Sequence, residues 1–264
     1  MNWKTRLGIL ASCAVLAAAA GCSKKSPEQG SAQEVAQEPA ATATVDASTA
    51  GSISGTVMLE GAPPTYRPID MQAVPPCAKA NPTPVIPPVV MTGDHGELAN
   101  AVVYIKSGLG SYHFDTPATP ATLDQDACMY VPHVVALMTH QILQVKNTDP
   151  TAHNIHFMPK TNKQWNYSMP SGSDPLETHF DKPEVAVPVM CNVHPWMRAF
   201  LFVFADPYFA VTTKTGAFNL TNVPPGTYTI EAWQERFGTQ DQTVTIAPKE
   251  SKSVSFTFHA ADAH

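Results

Sequence analysis

Charge is scarce in this 264-residue chain. Asp, Glu, Lys and Arg make up 14% of it and leave a net charge of −6, which argues against nucleic acid as a partner, since that calls for a basic face. No apolar run reaches the roughly 20 residues that a membrane-spanning helix needs; the best candidate, residues 7–20, stops short. Apolar repeats at helical spacing are few, and no stretch demands a long helix. Cysteine is rare, at five residues. No C-x-x-C-H run occurs, which excludes covalently attached haem, and no two histidines stand in an H-x-H pair. What the chain has in quantity is apolar residues (44%) and 25 prolines, a mixture that favours a packed core of short strands joined by many turns.

The N-terminus carries a targeting pattern. Lys4 and Arg6 precede the apolar run, which ends in small residues followed by Gly21 and Cys22. This resembles a bacterial lipoprotein signal (1–22) with Cys22 as the lipidated first residue, the alternative being an ordinary secretory signal cleaved near the Ala run. Ser23 after that cysteine implies the outer membrane, with the protein lipid-anchored in the cell envelope and facing the periplasm. Residues 23–50 are rich in Ala, Ser, Thr, Glu, Gln and Pro and lack aromatics, so they read as a disordered tether with a span of roughly 30 Å. Outside the cytoplasm thiols tend to pair. Once Cys13 leaves with the signal and Cys22 takes the lipid, pairing Cys77 with Cys128 leaves Cys191 free for a metal. The rival reading keeps Cys128 and His133 as ligands of a second metal.

From Ser52 onward the pattern is β. Ile53, Val57 and Leu59 share one face at period 2. Val102 to Ile105 is a short apolar run, and Phe200 to Phe204 is apolar on both faces, as expected of a buried strand. Val185, Val187 and Val189 alternate, and Cys191 continues their parity, so all four are expected to point inward. His153 and His156 differ by an odd number, so a regular strand turns them to opposite faces.

The densest chemistry lies in Cys191-Asn192-Val193-His194-Pro195-Trp196-Met197. A thiolate, an imidazole and a thioether at C-x2-H-x2-M suit copper, and a His2Cys set with a weak axial Met is an electron-transfer arrangement. Structural zinc seldom uses Met. A second imidazole is available in His153-Asn154-Ile155-His156-Phe157. The two segments together resemble the cupredoxins, in their order and in the H-N-[VI]-H-F and C-x-x-H-P-x-M forms. The resemblance implies one type 1 copper ion held by His153, Cys191, His194 and Met197. It also implies that Asn154 braces the ligand loops near the sulfur, and that His194 sits at the surface edge as the electron port, with Pro195 and Trp196 forming a docking patch.

A second resemblance frames the first. Thr213, Gly216, Phe218, Leu220, Val223, Pro224, Gly226 and Tyr228 follow the T-x-x-G-x-F-x-L…V-P-x-G-x-Y form of the carboxypeptidase regulatory-like (transthyretin-like) β-sandwich. Ile53-Ser54-Gly55-Thr56-Val57 resembles that family's opening strand and Ala101 to Ile105 a later one. About 100 residues separate those strands from the motif, and the copper-type match lies in the gap. The expectation is an all-β chain in which a cupredoxin Greek-key sandwich at 116–205 is inserted into a transthyretin-like sandwich formed by 51–115 and 206–260. The implied function is one-electron transfer without catalysis, to a redox protein partner such as a cytochrome or an envelope oxidoreductase. Two alternatives stand beside it: a copper-delivery lipoprotein, and a partner-binding scaffold with structural copper.

Overall fold

The computed structural model of the protein describes residues 43–264. The signal segment, Cys22 and the tether up to residue 42 lie outside the described residues. In chain order the strands begin with β1 (Gly51–Glu60), followed after a short helix, α1 (Pro75–Ala80), by β2 (Val102–Ser107). Nine strands come next: β3 (Ala121–Asp126), β4 (Met129–Val131), β5 (Val134–Met138), β6 (Leu143–Asn147), β7 (His153–Phe157), β8 (Trp165–Met169), β9 (Leu176–Thr178), β10 (Glu184–Met190) and β11 (Arg198–Phe204). The last five are β12 (Phe209–Val211), β13 (Ala217–Val223), β14 (Gly226–Gln234), β15 (Gly238–Ile246) and β16 (Ser251–His259). The protein is all-β.

The strands form four sheets, ordered β13-β1-β16, β12-β2-β14-β15, β5-β11-β10-β7-β8 and β4-β3-β6-β9. The first two enclose a core that includes Ile53, Val57, Val103, Ile105, Phe218, Ile230 and Phe256. This sandwich therefore draws β1 and β2 from one part of the chain and β12 to β16 from another. Its closest strand contact explains one glycine: β1 and β16 run parallel, and a Cβ on Gly55 would lie 1.6 Å from the Val254 carbonyl oxygen. Gly216 turns the chain into β13 at φ +63 with its carbonyl accepting from Val57 N, a conformation glycine adopts freely.

The other two sheets use β3 to β11 and enclose a second core, which includes Leu123, Val145, Ile155, Phe157, Val189, Leu201 and Val203. Strands β2 and β11 lie between the sandwiches. Val103 and Ile105 face the first core and Leu201 and Val203 the second, while Val102, Tyr104, Phe202 and Phe204 meet in a third cluster that joins the two sandwiches. The Trp233 ring lies 4.9 Å from Phe202 and 5.0 Å from Phe200, and the His133 imidazole reaches the Glu235 carboxylate at 2.5 Å across the same seam.

Three features depart from the sequence reading. Val185 is 48% exposed, because a bulge at Ala186 (φ 52) shifts the register of β10 against β11 between Glu184 and Val187. An added residue in one strand reverses the parity of what precedes it, so Val187, Val189 and Cys191 turn inward and Val185 does not. Residues 43–50, expected to belong to the tether, are bonded to the first sandwich: Ala43 N donates to Ser111 O and Lys249 N donates to Thr49 O, while within the segment the Asp46 carboxylate accepts from Ser48 N. The long connection from β1 to β2 leaves the first sandwich and gives Ile69, Met71, Val74, Cys77 and Val85 to the second one's core. This strap, with α1 in its middle, covers the end of the second sandwich where β7, β10 and β11 converge.

If the third cluster joins the sandwiches energetically, Phe202→Ala should cost about 3–5 kcal/mol, as for other large-to-small core changes. Urea denaturation read by tryptophan fluorescence checks this. A loss no larger than that of a surface substitution would mean the sandwiches are merely tethered.

Candidate metal centre

At that covered end, β7 supplies His153 and the turn between β10 and β11 supplies Cys191, His194 and Met197. The turn is closed by two backbone hydrogen bonds, Met197 N to His194 O at 2.9 Å and Cys191 N to Met197 O at 3.2 Å. These hold Cys191, His194 and Met197 inward while Asn192, Val193 and Pro195 face solvent. Cys191, the free cysteine among the described residues, His153, His194 and Met197 are all buried.

The potential ligand atoms converge. The Nδ1 atoms of His153 and His194 are 2.8 Å apart, and Cys191 Sγ lies 3.8 Å from His194 Nδ1. The three atoms fall within 4.8 Å of one another, separations that a metal with bonds of about 2.0 Å to nitrogen and about 2.3 Å to sulfur can bridge. Thiolate with two imidazoles, on a loop with a buried thioether, is a donor set that fits copper. The sulfur is held by backbone donors, Asn154 N at 3.3 Å and His194 N at 3.4 Å. Asn154 also ties the ligand segments together: its Oδ1 accepts from Asn192 N at 3.2 Å and its Nδ2 donates to Tyr167 O at 2.9 Å and Asn166 Oδ1 at 2.8 Å.

His156 stands apart. Its Nδ1 lies 3.3 Å from Asn192 Oδ1 and its Nε2 2.6 Å from Gln164 Nε2, on the outer face of β7. The odd spacing within a regular strand separates the two histidines.

Sequence reasoning missed one group in the cluster, which lies in the Asn147-Thr148-Asp149-Pro150 turn that follows β6. Asp149 is buried, and its Oδ2 lies 2.7 Å from His153 Nε2 and accepts from Cys128 N, also at 2.7 Å. A carboxylate on the far nitrogen fixes a ligand imidazole's tautomer and orientation. The four-residue spacing from Asp149 to His153 was visible, but its meaning depends on the turn that brings the two together.

Charge is arranged around the sulfur. Burial alone would keep the Cys191 thiol protonated, but the His153 imidazole and the backbone N–H groups of His194, Asn154 and Val193 outweigh it and bring the thiol below its ordinary value. Burial pulls His153 down, yet hydrogen bonds to Asp149 and Cys191, with their negative charges, push it up to about 9. His194 is lowered by burial and by the neighbouring His153 charge. These shifts favour negative charge on Cys191, positive charge on His153 and the uncharged form of His194.

The surface port expected at His194 is not there: the residue is only 2% exposed. The strap covers it. Cys77 Sγ lies 4.0 Å from His194 Nε2, and Cys77 is disulfide-bonded to Cys128, so Cys128 offers no thiolate, and His133 is engaged with Glu235 instead. Trp196 packs its ring 5.1 Å from that of His194 and donates from Nε1 to Cys128 O at 3.0 Å. It is therefore half-buried against the strap, and Pro195 is the exposed member of the expected docking pair. A local C-x2-H-x2-M pattern carries no sign of a cover supplied from more than 100 residues upstream.

The chain is thus an all-β protein of two joined sandwiches with a buried thiolate–imidazole cluster at one end of the second. Residues 203–259 match the family model of the carboxypeptidase regulatory-like domain. No curated protein matches the chain. Among solved structures it is similar to a copper-containing nitrite reductase (NirK) from Thermus scotoductus SA-01, at 17% identity over 37% of this chain and 24% of that one, with a TM-score of 0.29. The chain thus spans about a quarter of that reductase. It is also similar to a purple cupredoxin from Nitrosopumilus maritimus (23% identity, 31% of this chain, 98% of that one, TM-score 0.27) and to a Cu(I) amicyanin variant (15%, 39%, 98%, 0.29).

If the disulfide holds the strap over the centre, replacing both its cysteines should uncover Cys191. In metal-free full chain carrying Cys77→Ser and Cys128→Ser, N-ethylmaleimide should label Cys191, located by peptide mass spectrometry, at least about tenfold faster than in the unmodified chain, because labelling of a buried thiol waits on local opening. Equal rates would show that the strap stays closed without the bond.

Proposed function

We propose that this chain is a cell-envelope electron carrier that holds one type 1 copper ion on His153, Cys191, His194 and Met197 and performs no bond chemistry of its own. The observation that carries the reading is the convergence of two Nδ1 atoms and one sulfur in a buried cluster whose sulfur already receives two backbone donors. When bound there, copper would supply one-electron chemistry through its Cu(II)/Cu(I) couple.

The protein's part is to keep the ligands where they are. Asp149 holds His153, Asn154 holds the loop against β7, and the strap keeps water off His194. Little needs to rearrange when the charge at the centre changes by one. The cover also supports a carrier over a copper-delivery protein, since handing over a metal requires access to it and both imidazoles here are buried. The inserted arrangement, 116–205 within 51–115 plus 206–260, belongs to this proposal: the second sandwich would be the redox domain, and the regulatory-like sandwich its frame and the origin of its cover. Lipid attachment at Cys22, a periplasm-facing position and a redox protein as partner complete the reading. With His194 covered, the partner would meet the strap and the exposed Pro195 edge rather than the imidazole itself.

Adding Cu(II) to the purified chain and recording visible absorption and EPR spectra tests the centre. Strong thiolate-to-copper absorption with a narrow hyperfine splitting is expected. A pale protein with an ordinary Cu(II) signal would overturn the type 1 assignment.

Two substitutions sharpen the ligand set. Cys191→Ser should abolish the intense absorption and leave a folded protein by circular dichroism. Met197→Gln should keep copper and lower its reduction potential, since the axial ligand tunes it; an unchanged potential in voltammetry would remove Met197 from the ligand set.

A further inference from the structure

At the other end of the second sandwich, three side chains with metal-binding chemistry meet. In the parallel pairing of β11 with β5, Phe200 lies opposite Val134 near the Cys191 loop, and Phe204 opposite Met138 at the far end. His140 follows Met138 by two residues. The length of β11 puts this end about 20 Å from the buried cluster, at about 3.3 Å per residue. Here Asp181 Oδ1 lies 3.4 Å from His140 Nδ1 and 3.3 Å from His179 Nε2, and the three ligand atoms fall within 4.8 Å of one another.

The backbone holds this arrangement rather than leaving it to chance side-chain encounters. His140 sits at φ 62, at the tip of a turn closed by Gln141 N to Met138 O at 3.1 Å, and its own N–H donates to Phe180 O at 2.9 Å. That bond joins the turn to the segment carrying the other two ligands. Phe180 is buried, with its ring 5.4 Å from Phe157. His179 and Asp181 flank it two residues apart, so in an extended segment they project together on the side opposite the anchored ring. All three side chains are more than half exposed, open to an ion from solvent.

The spacing leaves room for an ion between the groups. A charge-assisted hydrogen bond between imidazole and carboxylate closes to about 2.7–2.9 Å, and both contacts here are longer. Separations of 3.3 and 3.4 Å suit donors that each sit about 2.0–2.2 Å from a shared ion. Two imidazoles with one carboxylate suit borderline divalent cations; magnesium and calcium prefer all-oxygen sites, and Cu(I) prefers sulfur. We propose that His140, His179 and Asp181 form a second, surface site for a divalent cation of the zinc–copper(II) class, distinct from the buried thiolate centre. Three protein donors leave at least one position for water or for a donor from another molecule.

Zn(II) is the probe, since it has no redox chemistry to confuse the readout. Calorimetric titration of the full chain carrying Cys191→Ser, which removes the thiolate donor of the buried centre, should show one Zn(II) equivalent. Adding His140→Ala and His179→Ala should abolish that binding or weaken it at least about tenfold, the ratio that corresponds to roughly 1.4 kcal/mol. Asp181→Asn should weaken it while the fold, followed by circular dichroism, stays unchanged. Equal zinc binding with and without the two histidines, or no zinc bound by the Cys191→Ser chain, would overturn the site. Neither result depends on whether the buried cluster takes copper.

Discussion

Taking a thiolate out of water is the constraint around which the second sandwich is organised. A buried sulfur anion needs donors and a counter-charge, because the interior returns little of the solvation it loses. Cys191 obtains both without a lysine or arginine. Two backbone N–H groups reach it, one from the strand that carries His153 and one from its own turn, and the His153 imidazole beside it is pushed toward its charged form, against burial, by its hydrogen bond to Asp149. The same contacts that make the anion tolerable also leave two imidazole nitrogens pointing at it. The groups that steady the sulfur and the groups that could hold a metal are, in this site, one arrangement.

The rest of the molecule can be followed outward from that cluster. Asp149 also accepts from Cys128 N, and Cys128 is tied to the strap through Cys77. The strap is the long connection between two strands of the other sandwich. The Cys191–Met197 loop is thus roofed by a segment belonging to the neighbouring sandwich. The two sandwiches are further joined by a seam of aromatic rings, with Phe202 and Phe204 on one side and Tyr104 and Trp233 on the other. Such an interface makes hinge motion between the sandwiches costly, which suits a centre whose cover comes from across the seam.

Much of this was legible along the chain. Alternation marked the inward faces of β1 and β10, and the double-faced apolar run at β11 signalled a strand buried on both sides, though not by what. The side chains that converge announced themselves by spacing, because one tight turn can present Cys191, His194 and Met197 only at short fixed intervals, and because an odd separation within a strand divides His153 from His156. A single inserted residue defeated the same reasoning at Val185: a bulge is a local backbone choice that a period-2 pattern cannot register.

The sequence by itself determined the all-β class, the donor types and their local spacing, since these follow from strand periodicity, turn chemistry and the identities of the side chains. Only the tertiary structure decided that Asp149 would stand behind His153, that Cys77 would lie against His194, and that His140 would meet His179 and Asp181. Each of those contacts joins residues through a turn or a packed seam whose path depends on the whole fold. Chain spacing constrains neighbours a few residues apart, whereas contacts across 41 residues (181 − 140) or 117 (194 − 77) exist only once the sheets have closed.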